Sequence, residues 1–67
     1  MRLLVIDDEP RIGLTLKLLL EEHDVTVTTT GDQARQEVEA ASFDAVLCDL
    51  KLGDTSGVEL TEWIVSR

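Results

Sequence analysis

Apolar residues in this chain fall into two kinds of short run. Leu3-Leu4-Val5-Ile6 and Ala45-Val46-Leu47-Cys48 are unbroken, whereas Val25-Thr26-Val27-Thr28 alternates strictly. Unbroken runs of this length suit strands buried on both faces, and alternation suits a strand with one polar face at a sheet edge. Helical spacing follows each run. The first helix starts at Pro10, whose fixed φ suits the first helical position, and is expected to reach Glu22. The second opens with the capping box Thr30-Gly31-Asp32-Gln33 and buries Ala34, Val38 and Ala41. The third opens with Ser56-Gly57-Val58-Glu59 and turns Leu60, Trp63 and Ile64 towards a core. Strands are predicted at Arg2–Ile6, Val25–Thr28 and Asp44–Cys48. Three strand–helix units in one domain, residues 1–67, predict an α/β fold with a parallel sheet. Right-handed crossovers give the order 2-1-3, with strands one and three adjacent.

Two features of this pattern ask for a partner. Strand three is wholly apolar, yet in a 2-1-3 sheet it is an edge, and such edges invite pairing with another chain. In helix one, Ile12, Leu16, Leu19 and Leu20 are expected to form the buried face, and Leu14 and Leu18 widen the apolar surface beyond what one sheet needs. A homodimer through strand three and the apolar helix surface is the expected remedy, with twofold symmetry the commonest closed form.

Both unbroken runs end in acid: the first in Asp7-Asp8-Glu9-Pro10, the second in Asp49. Parallel sheets bind ligands beyond the carboxyl ends of their strands, and neighbouring strand ends lie only about 5 Å apart. Three carboxylates brought together there repel one another unless a cation or a proton joins them. Asp7-Asp8-Glu9 also suits simple capping of helix one. The formal charge of −8, from 14 acidic and 6 basic residues, disfavours nucleic acid and anionic membranes as partners and suits cations or basic proteins. Cys48 is the one cysteine and His23 the one histidine, which excludes an internal disulfide and argues against zinc. There is no nucleophile–histidine pair of the kind a hydrolase needs, so the expectation is a non-enzyme. No signal segment or membrane-length apolar run is present, and the cytoplasm is the expected location.

Arg2-Leu3-Leu4-Val5-Ile6-Asp7-Asp8-Glu9-Pro10 resembles the opening of bacterial response-regulator receiver domains. Val46-Leu47-Cys48-Asp49-Leu50, with Gly57 eight residues after the aspartate, resembles their phosphorylation-site segment. The resemblance spans essentially the whole chain and about the first half of the family's domain. It implies half of a flavodoxin-like doubly wound fold: a truncated receiver without an output domain, completed by dimerisation. It implies that Asp49 accepts a phosphoryl group from a histidine kinase. It further implies Mg²⁺ held by Asp7, Asp8 and Asp49, with Asp8 a direct ligand and the backbone carbonyl of Lys51 another. Where the family commonly has proline, four residues after the acceptor, this chain has Gly53. The hydroxyl residue ending the family's fourth strand and the lysine ending its fifth have no counterpart, so the metal pocket is expected without the switch and activity is expected to be impaired. The rival expectation is a non-catalytic, self-associating structural half-domain with a relic acidic pocket.

Overall fold

A computed structural model describes the backbone of residues 1–49, 51–52 and 55–67 and the side chains of residues 1–49 and 56–67. Its elements are β1 (Arg2–Ile6), α1 (Pro10–Leu19), β2 (Asp24–Thr28), α2 (Gly31–Ala40), β3 (Ala45–Cys48), β4 (Lys51–Leu52), β5 (Thr55–Ser56) and α3 (Gly57–Val65). The first three strands form a parallel sheet of order β2-β1-β3, as their hydrophobic patterning requires. β4 and β5 form a small antiparallel pair with Lys51 opposite Ser56. That pair carries no periodicity in so few residues, and the sequence does not announce it. Gly53 lies outside the described residues.

Because side chains alternate along a strand, β1 supplies a core to each face of the sheet. Leu4 and Ile6 join Ala34 of α2 and Leu60 of α3, all fully buried, with Val38, Phe43, Val46, Trp63 and Ile64 packed around them. Leu3, Val5 and Val25 face the other way, against Leu16 and Leu20 at the α1 side. Two guanidiniums also approach the Trp63 ring, those of Arg35 at 5.7 Å and Arg67 at 4.8 Å from its centre, in cation–π contact.

α1 departs from expectation in two ways. It ends at Leu19 rather than Glu22, with Leu20 as its cap. The acidic pair Glu21-Glu22 would otherwise sit in the last turn, where the helix dipole disfavours negative charge. The row it turns to the sheet is Gly13, buried, with Leu16 and Leu20 half-buried, whereas Ile12 and Leu19 are exposed, Leu19 at 74%. Gly13 explains the rotation. A Cβ at this position would collide with Cγ1 of Val27, so the helix comes closest to β2 where it has no side chain. Ile12, Leu14, Leu18 and Leu19 are left as a broad exposed apolar surface.

Helix caps follow the sequence closely. The Thr30 hydroxyl accepts from the Gln33 amide at 3.1 Å, and Gln33 Oε1 accepts from the Thr29 amide at 2.9 Å, one residue earlier than in the usual box. The Ser56 hydroxyl accepts from the Glu59 amide at 3.4 Å. β2 is an edge strand as predicted, but its polar face is not a solvent face. Thr28 is only 4% exposed, because it shares the side of Ile6, its register partner, where α2 and α3 pack.

Candidate functional site

The last rungs of the sheet place the acids. On one side the Asp7 amide donates to the carbonyl of Thr28 at 3.1 Å, and on the other the Asp49 amide donates to the carbonyl of Ile6 at 2.9 Å. β1 and β3 are adjacent and parallel, so their carboxyl ends deliver Asp7 and Asp49 to the same mouth. Asp8 follows at the start of the turn into α1. One carboxylate oxygen from each of Asp7, Asp8 and Asp49 lies within 4.8 Å of the others. Asp7 and Asp49 are half-buried and Asp8 is exposed.

Capping and clustering prove compatible, because the acidic run divides the work. Glu9 is the N-cap of α1: its Oε1 accepts from the Arg11 amide at 3.5 Å and from Arg11 Nε at 3.2 Å. Asp7 Oδ1 accepts from the Glu9 amide at 2.9 Å, an Asx-type turn that bends the chain from strand to helix. Hydrogen bonding therefore draws Glu9 towards the helix, and the three aspartates gather at the strand ends. Lys51 opens β4 just past Asp49; its side chain lies outside the described residues.

A cleft of about 320 Å³ opens beside the cluster, walled by Val5, Ile6, Leu16, Leu47 and Cys48 with Asp7 and Asp49 at its edge. Cys48 is half-buried, and its thiol donates to the Asp49 carbonyl at 3.3 Å. Its pKa is raised, chiefly by burial. A hydrogen bond with Thr61 opposes that shift, and the negative charges of Asp49 and Asp7 add to it. His23 is remote from the cluster, with Nδ1 3.4 Å from the amino-terminal nitrogen of Met1.

A three-stranded parallel sheet with three aspartates at its carboxyl mouth defines the class, an α/β domain built to hold charge at its strand ends. The sequence pattern of the response regulator receiver domain matches residues 3–67, so the chain belongs to that family. It is 34% identical over 65 residues to the transcriptional regulatory protein ResD of Bacillus subtilis, covering 94% of this chain and 27% of that protein. It superposes with a TM-score of 0.93 on a CheY-like receiver domain from Methylobacillus flagellatus, at 29% identity, over 100% of this chain and 58% of that one. The response regulator TrrA of Thermotoga maritima, solved in complex with Mg²⁺–BeF, matches with a TM-score of 0.89 at 31% identity, over 97% of this chain and 58% of that one. The chain thus spans about a quarter of that curated relative and over half of these solved receivers. Among the described residues, no helix is long and apolar enough to cross a membrane.

Proposed function

We propose that these residues form the phosphoacceptor part of a cytoplasmic two-component receiver, with Asp49 accepting a phosphoryl group from a histidine kinase. The observation that carries this reading is the gathering of Asp7, Asp8 and Asp49 within 4.8 Å at adjacent strand ends. The donor set would suit Mg²⁺, which favours hard carboxylate oxygens together with water and phosphate. Asp7, Asp8, Asp49 and the backbone carbonyl of Lys51 are the proposed holders. When bound, the metal offsets carboxylate charge that would otherwise keep a phosphoryl group away. A carboxylate oxygen of Asp49 forms the new O–P bond as the P–N bond to the donor imidazole breaks, and the departing imidazole takes up a proton. The chain acts as an acceptor rather than a turnover enzyme. The proposal concerns the acceptor chemistry of these residues.

Intact-mass spectrometry after incubation with acetyl phosphate, with and without Mg²⁺, tests this reading. The expected result is a Mg²⁺-dependent phosphoryl adduct that Asp49→Asn abolishes. Folded protein that gains no adduct would overturn it. That outcome would favour a second reading, a self-associating structural unit, which the 45% exposure of Leu47 on the β3 edge supports.

A further inference from the structure

Among the described residues, Thr28 is the one buried polar side chain, and it sits at the strand end from which Asp7 hangs. A hydroxyl buried beside Ile6 and α2 costs free energy unless it is hydrogen-bonded. Here it donates to the carbonyl of Val5 at 3.0 Å. The same residue's carbonyl accepts the Asp7 amide at 3.1 Å. Thr28 therefore grips β1 at two alternate residues, Val5 through its side chain and Asp7 through its backbone. Among the described residues, Thr28 is the one member of β2 whose side chain bonds the β1 backbone. Valine has nearly the same shape and would fill this site without the bond, so packing alone does not call for a hydroxyl.

The consequence reaches the acidic cluster. Asp7 Oδ1 is already committed to the Glu9 amide, so the position of its carboxylate follows closely from that of its backbone. That backbone is tied to the rest of the sheet by the rung to Thr28. Asp49 hangs from a different rung, the carbonyl of Ile6. The distance between the two carboxylates therefore depends on how firmly each rung holds its end of the mouth.

We propose that Thr28 is a positioning residue for the cation site: its hydroxyl, by pinning Val5, fixes the last rung of β1 and with it the placement of Asp7. The part of this that concerns the cation rests on the metal reading above; the hold on Asp7 does not. The test compares wild type, Thr28→Val and Thr28→Ser by two measurements. Calorimetric titration with Mg²⁺ is expected to show about fivefold weaker binding for Thr28→Val, the worth of roughly one hydrogen bond, and near wild-type binding for Thr28→Ser. Amide hydrogen exchange is expected to show faster exchange at the Asp7 N–H in Thr28→Val and recovery in Thr28→Ser. Unchanged Asp7 exchange in Thr28→Val would overturn the proposal. So would equal Mg²⁺ affinity of Thr28→Val and wild type. A wild type that binds no Mg²⁺ would instead refute the metal reading and the cation half of this proposal, and exchange at Asp7 would still decide whether Thr28 sets its backbone.

Discussion

The two edges of the parallel sheet are built on opposite plans. β2 alternates valine and threonine, yet it is the better buried edge: α1 approaches it at Gly13, and Val25 and Thr28 are both covered. β3 is entirely apolar, yet none of its residues is fully buried and Leu47 stands 45% exposed. Residue polarity would have ranked these edges the other way. What decides burial here is which helices reach each edge, and α1 leans over β1 and β2, leaving the Leu47 side of β3 uncovered. The acidic cluster straddles this difference. Asp7 hangs from the closed edge and Asp49 extends the open one.

Four experiments break or sharpen that contrast. Leu60→Ala removes a fully buried side chain beneath the shared core and is expected to cost about 3 kcal/mol. A domain of this length has only on the order of 3–10 kcal/mol in total, so urea melts should show a chain close to unfolding in water. Next comes Gly13→Ala at the closed edge. The clash with Val27 is expected to cost about 1–3 kcal/mol by overpacking, against a gain of about 1 kcal/mol in helix propensity. Thermal melts should show a net loss, and adding Val27→Ala should recover part of it. A neutral Gly13→Ala would mean that α1 does not seat on β2 as described.

At the open edge, Leu47→Lys should change stability by less than about 1 kcal/mol, since the side chain is already half in water. Light scattering at micromolar concentration should nevertheless show any self-association of the wild type reduced. Wild type that is already a stable monomer would remove self-association as an explanation for the apolar edge. The smallest effect is at Cys48. Its raised pKa leaves less thiolate at a given pH, so the midpoint of iodoacetamide reactivity should lie at higher pH than in urea-unfolded chain. Mg²⁺ at the acids should move that midpoint down, because the carboxylate charges oppose the thiolate. A midpoint equal to that of the unfolded chain would show the β3 edge to be more open than its half-buried residues indicate.

The sheet order and the meeting of the acids were legible because both central runs are unbroken and each ends in aspartate, a pattern that ties strand assignment to site assignment. The caps at Thr30 and Ser56 were legible for a similar reason, since hydroxyl and amide spacing is set within a single turn. The buried face of α1 was not. Counting apolar residues gives Ile12 and Leu19 the same standing as Leu16, whereas the helix is oriented by an absent side chain at Gly13. A glycine inside an apolar helical pattern was the available signal. Thr28 was hidden differently, for a threonine alternating with valine reads as solvent-facing until α2 is placed over it. The β4–β5 pair is too short for any period to declare itself.

The contacts of Trp63 with Arg35 and Arg67 give the molecule an optical gauge of its own. It is the only tryptophan in the chain, and it sits on the helix that follows the acceptor segment, against the core shared with α2. Its emission therefore senses whether α3 is seated on α2. Events at Asp49 that tug on α3 can be followed by fluorescence in the unmodified protein, without adding a dye or a label to so small a domain.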